Sequence, residues 1–147
     1  MADLTSTVQL MENRYTPLNF FHLEAMKMAE TRKKNFNSPE ETRDVDKGKV
    51  EVLNLGGAQV MRATFQPGWK WSECVKPIVG TDSCEVSHLV YTISGRMAIR
   101  MDDGKEIEIG PGDVASIPAG HDAWIVGQEA YVGIDFQGGS NYAKPQS

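Results

Sequence analysis

Residues 88–124 read HLVYTISGRMAIRMDDGKEIEIGPGDVASIPAGHDAW. Apolar and polar residues alternate in short blocks, and each block stops at a turn carrying glycine: Gly95, Asp102-Asp103-Gly104, Gly110-Pro111-Gly112 and Pro118-Ala119-Gly120. Alternation is the signature of strands with one buried face, and a hairpin turn such as Asp102-Asp103-Gly104 uses residues that tolerate positive φ. The spacing predicts strands over His88–Ser94, Met97–Met101, Lys105–Ile109 and Val114–Ile117, followed by Ala123–Val126. Strands this short and this regularly punctuated imply an all-β sandwich or barrel.

The same reading extends outward. Val50–Leu55 and Gln59–Phe65 read as strands ending at Gly56-Gly57 and Pro67-Gly68, and Trp69–Val75 reads as a further strand broken by Pro77. Ala130–Phe136 completes the set. Upstream, Met1–Asn13 is polar and irregular. Thr16-Pro17 opens a predicted helix that runs to Lys34, with Phe21, Ala25 and Met28 at helical spacing and Arg32, Lys33 and Lys34 at the end that favours cations. Ser38-Pro39-Glu40-Glu41 has the spacing of a capping box and predicts a short helical turn. The expected organisation is an arm and helical extension over 1–48, a β-barrel over 49–137 and a polar tail over 138–147.

The chain has 147 residues, enough for one domain with a sizeable core. A net charge of −5 without a basic stripe argues against nucleic-acid binding. No apolar run approaches the ~20 residues that cross a bilayer, and Met1–Met11 lacks the basic start and apolar block of a secretory signal. Two cysteines, Cys74 and Cys84, make no disulfide framework, although they leave open a single bridge; the expectation is a cytoplasmic protein with reduced thiols.

The run Gly112, five residues to Ile117, then Pro118, Ala119 and Gly120 resembles the second sequence motif of the cupin superfamily, and Tyr91–Gly95 resembles the close of its first. The resemblance covers about Val50 to Phe136 and implies a cupin-like jelly-roll barrel with an N-terminal helical extension. It also implies a metal site, normally three histidines and a glutamate, and here the residues depart from the pattern. Counting back from Gly95, His88 stands at the glutamate position, and Cys84 and Asp82 stand at the two histidine positions. The second motif's histidine position holds Ala123; His121 lies two residues earlier, a displacement of roughly 6–7 Å along a strand that preserves the face.

The candidate metal ligands are therefore His88, His121 and Cys84, a set that suits a divalent transition metal such as Fe, Zn, Mn or Ni. Cys84 shares a strand face with His88 only if the strand runs unbroken through Glu85. Trp71, Glu73, Tyr91 and Trp124 are the candidate ligand-binding residues, the tryptophans as apolar bodies with an N–H handle and Glu73 as a ligand or base. Asp82 reads first as a turn residue. Two functions follow: a metal-dependent enzyme of dioxygenase, isomerase or hydrolase type acting on a small molecule, or a metal-free small-molecule-binding or sensing protein. A homodimer is expected, because such a barrel leaves a sheet edge and face to be covered.

Overall fold

The computed structural model describes Leu23 and residues 29–145. The chain divides into two compact units, Met1–Thr31 and Arg32–Ser147, and the architecture below belongs to the second. Of the helix expected to run to Lys34, residues 29–34 are described and are not helical, so its expected end is corrected; apart from Leu23, which is helical, the rest of the expectation lies outside the described residues.

Among the described residues, nine strands form two antiparallel sheets. They are β1 (Glu41–Val45), β2 (Gly48–Leu55), β3 (Ala58–Phe65), β4 (His88–Ser94), β5 (Arg96–Met101), β6 (Glu106–Ile109), β7 (Val114–Ile117), β8 (His121–Val126) and β9 (Tyr131–Asp135). The larger sheet runs β1-β2-β3-β9-β4-β7 and the smaller β6-β5-β8. The fold is all-β, and apart from Trp69–Val75 the strands expected from turn spacing fall within two residues of their observed bounds.

The period of two sorts the side chains. Arg43, Val50, Ala63, Gly133 and Thr92 form one inward row across the larger sheet, followed from register to register. In the smaller sheet, Met97 and Ile99 lie opposite Ile125 and Ala123, all four buried. Phe65 and Trp69 stack with ring centroids 3.9 Å apart inside this core.

Three local expectations are corrected. Trp69–Val75 is not a strand: Trp71–Cys74 forms a short helix, α1, and Lys76–Val79 a second, α2. From Trp71 onward the buried residues are Trp71, Cys74 and Val75, a spacing of three and four that a helix can bury on one side and a strand cannot. Pro77 sits in the first turn of α2, where its missing N–H costs nothing.

Ser38–Glu41 does not open a helix. The Glu40 carboxylate accepts from the Asn54 amide at 2.7 Å, and β1 follows within the segment expected to be extension. Glu41, Arg43 and Asp44 hide the strand pattern of this edge. The expected polar tail also folds inward: Gly138–Ser140 forms a 3-10 turn, and Tyr142 and Ala143 are buried. Cys74 and Cys84 are both free thiols. Among the described residues, no helix is long and apolar enough to cross a membrane.

Candidate metal centre

Cys84, His88 and His121 converge in the interior. One ligand atom from each lies within 4.8 Å of the others, and all three side chains are buried. His88 opens β4 and His121 opens β8, so the cluster joins the two sheets. Cys84 does not reach it by continuing β4, which begins only at His88. It pairs instead across a bridge to His121: the Cys84 amide donates to the His121 carbonyl at 2.8 Å, and the Gly120 amide donates to the Cys84 carbonyl at 2.7 Å. The two-residue offset of His121 from the motif position is met by this loop, which brings a thiol to the displaced imidazole.

Each imidazole has one nitrogen tied off. His88 Nδ1 lies 2.5 Å from Asp135 Oδ2, and His121 Nδ1 donates to the Pro118 carbonyl at 2.7 Å. A carbonyl only accepts, so Nδ1 of His121 carries the proton and Nε2 is free as a lone-pair donor. Nε2 of His88 faces Cys84 Sγ at 3.6 Å. A histidine whose second nitrogen is held by a carboxylate or carbonyl is the arrangement that orients metal ligands.

Asp135 was not singled out in the sequence, although a signal was there. Tyr131, Gly133 and Asp135 alternate on the inward side of β9, so a carboxylate was bound to enter the core. Its Oδ1 accepts from the amides of Leu89, Gln137 and Gly138 at 3.2, 2.9 and 3.0 Å. Burial pushes the Asp135 carboxyl up, but the His88 bond and the backbone amides outweigh it and hold the group below the usual carboxylate range. Gly138 permits this approach, since a Cβ there would overlap both Asp135 Oδ2 and His88 Nδ1.

Burial pushes the Cys84 thiol up to about 11, and Glu85, Asp135 and Asp122 act in the same direction. Burial pulls His121 down and keeps its imidazole neutral. The centre thus sets a thiol and a neutral imidazole beside a carboxylate-held histidine. A bound cation would reverse the thiol's preference, because coordination by a metal deprotonates it.

The centre borders a cavity of about 50 Å³ whose remaining wall is largely apolar, including Phe65, Trp69, Trp71, Met97 and Ile99. Tyr131 belongs to that wall, and its hydroxyl bonds the buried Thr92 Oγ1 behind it at 3.0 Å. Trp69 Nε1, buried, has no hydrogen-bond partner. Of the expected ligand-binding residues, Trp71 lines the cavity. The other three do not. Tyr91 alternates outward from β4 and is exposed, Glu73 is exposed on α1, and Trp124 lies on the outer face of β8, with the Lys70 and Arg100 cations 5.8 and 5.3 Å from its ring centre. Asp82 is exposed and pairs with Lys76.

No family model matches the sequence, and no curated protein matches it. Solved structures do. A Rhizobium leguminosarum bv. viciae protein of unknown function is 17% identical, with 80% of this chain and 99% of that chain covered at a TM-score of 0.54. The polyketide cyclase RemF of Streptomyces resistomycificus is 15% identical, covering 74% of this chain and 79% of its own, with a TM-score of 0.52. An oxalate decarboxylase from Lactobacillus farciminis is 16% identical at a TM-score of 0.51, and the match spans 69% of this chain but 32% of the decarboxylase. Identities this low speak to architecture alone, and with the strand order and the turn motifs already described they establish that this chain has the cupin fold.

Proposed function

We propose that this chain is a metal-dependent cupin-fold protein that takes a small organic molecule into its interior. The observation that carries the reading is the convergence of Cys84, His88 and His121 within 4.8 Å, with both Nδ1 atoms engaged elsewhere. A thiolate with two imidazoles fits zinc, iron or nickel better than the hard, oxygen-seeking manganese. When bound, such an ion supplies Lewis-acid or oxygen-activating chemistry with open positions. Cys84, His88 and His121 would hold it, Asp135 would orient His88, and the apolar wall would exclude bulk water. The unpartnered N–H of Trp69 offers one donor to an occupant.

The test is elemental analysis of protein purified without chelators, followed by titration with Co(II). The expected result is about one equivalent of metal and a thiolate-to-cobalt charge-transfer band that is lost in Cys84→Ser. Below ~0.1 equivalent, with no uptake on reconstitution, the metal reading is overturned and the metal-free binding protein takes its place.

The face of the larger sheet supports a homodimer. Leu89, Tyr91, Ile93, Val114 and Phe136 are exposed apolar residues on β4, β7 and the end of β9, and β7 is an edge strand without a lysine or proline. Uncharged patches of this kind mark protein contacts, and an acidic protein meets its own copy most readily where it carries no charge. Sedimentation of the full chain is expected to show a dimer at micromolar concentration and a monomer in Val114→Glu. A wild-type monomer would refute it. A reducing, cytoplasmic setting is in keeping with the two free thiols.

A further inference from the structure

At about 50 Å³ the cavity has room for only a few water-sized groups. An organic molecule enters only if a wall moves, and the walls are held very differently. Most lining residues stand on strands of the two ladders. The segment with Trp69 and Trp71 is tied to β8 by the Ile125 amide donating to the Trp69 carbonyl and by the Ser72 amide donating to Asp122.

Residues 138–145 are held otherwise. Among the described residues, the backbone bonds of this segment stay within it, from Asn141 and Tyr142 to Gly138 and from Lys144 to Asn141, at 3.2–3.4 Å. The attachments to the barrel are side-chain ones. Gly138 donates to Asp135, and Arg43 donates to the carbonyls of Tyr142 at 2.7 Å and Gly139 at 2.9 Å. The buried Arg43 is itself gripped by both carboxylate oxygens of Glu41 at 2.7 and 3.0 Å. Ala143 adopts φ +55, a left-handed conformation that a residue with a Cβ takes only when its surroundings impose it.

Three hollows follow one another beneath this segment. An open cleft is bounded by Glu85, Val86 and Asn141. These residues also bound a small void against Cys84, and that void shares Trp71 and Tyr142 with the interior cavity. Tyr142 separates the last two, its ring edge-on to His88 at 5.4 Å.

We propose that residues 138–145 form the movable wall of the site, with Arg43 as its latch and Tyr142 as the plug that sets the size of what enters. The segment lies on the outer side of Cys84 and His88, and its release joins cleft, void and cavity into one passage without breaking a ladder bond. The proposal concerns access and holds whichever occupant the cavity takes.

The experiment labels chelator-treated full-length protein with iodoacetamide and locates the label by peptide mass spectrometry, which separates Cys84 from Cys74. Cys84 is expected to react slowly in the parent and at least ~10-fold faster in Arg43→Gln and Tyr142→Ala, because the opening that exposes it becomes easier. Tyr142→Phe keeps the plug and is expected to label at the parent rate. Ile109→Ala, a core truncation on β6 away from the segment, controls for general loosening. Acceleration in Ile109→Ala equal to that in Tyr142→Ala means access by global unfolding and overturns the proposal. So does an unchanged rate in both Arg43→Gln and Tyr142→Ala. In the unsubstituted protein, amides of 138–145 are expected to exchange with solvent faster than those of β4 and β9, and equal protection would also count against a separate opening. None of these readouts needs a metal, so failure of the metal reading leaves them interpretable.

Discussion

The interior of the barrel has two ends of opposite character. At one, Phe65 and Trp69 stack face to face among aliphatic side chains, with the Thr92 and Tyr131 hydroxyls bonded to each other nearby. At the other, a thiol, two imidazoles and a carboxylate crowd together in equal isolation from water. The first end follows the ordinary economy of a core, where apolar burial supplies the stability. The second gains nothing by that measure, since burying polar groups costs free energy even when they are hydrogen-bonded. Side chains kept against stability in this way point to function, and the two ends should therefore respond oppositely to substitution.

The largest expected effect is at the apolar end. Phe65→Ala removes a stacked ring from a packed site and is expected to cost about 3–5 kcal/mol in denaturant unfolding, with metal uptake per folded molecule unchanged. Loss of uptake in the folded variant would break the division between the ends.

Alkali probes the same end without a mutation. Burial raises the Tyr131 hydroxyl to about 12, against an ordinary value near 10. A raised folded value favours the protonated native state, so its contribution is intact below pH 10 and is lost as pH climbs towards 12. The loss is about 3 kcal/mol over that interval. It should be smaller in Tyr131→Phe, read by unfolding at each pH. An equally steep loss in Tyr131→Phe would assign the alkaline transition to other groups, such as Tyr142, whose hydroxyl burial also raises.

At the polar end, Asp135→Asn is expected to weaken metal binding by about 10–100-fold through His88, which it no longer orients as an anion. Competition with a chromophoric chelator measures this. Unaltered affinity would make Asp135 a structural partner of His88 and the adjoining amides alone. The smallest effect is expected for Trp124→Phe: its ring lies on the outer face, so both metal uptake and interior stability should stay within ~0.5 kcal/mol of the parent. A larger change in uptake would return Trp124 to the site.

Much of the frame was readable from the chain because turns announce themselves locally. Gly95, Gly104, Gly112 and Pro118-Ala119-Gly120 marked where strands stop, and β4 and β7 lie where that punctuation put them. His88 and His121 followed from period two and from the motif. What stayed hidden depends on contacts between distant residues. Cys84 needs its bridge to His121, and Arg43 meets the carbonyl of a residue 99 positions away. Trp69–Val75 resembles a strand because Trp69 and Trp71 alternate and both are buried, but past Trp71 the burial moves to Cys74 and Val75 and leaves Glu73 exposed. Tyr91 has the chemistry of a binding residue but the parity of the outer face: its neighbours Val90 and Thr92 point in, so it points out.

The candidate ligands come from different layers, His88 from the six-stranded sheet and His121 from the three-stranded one, with Cys84 fastened to the latter. An ion held by all three is therefore also a rivet between the layers. At a free concentration 100-fold above its dissociation constant it would add about 2.7 kcal/mol to the native state, and it would do so at the seam between the two sheets. Removal of such an ion would then loosen the contact between the two sheets.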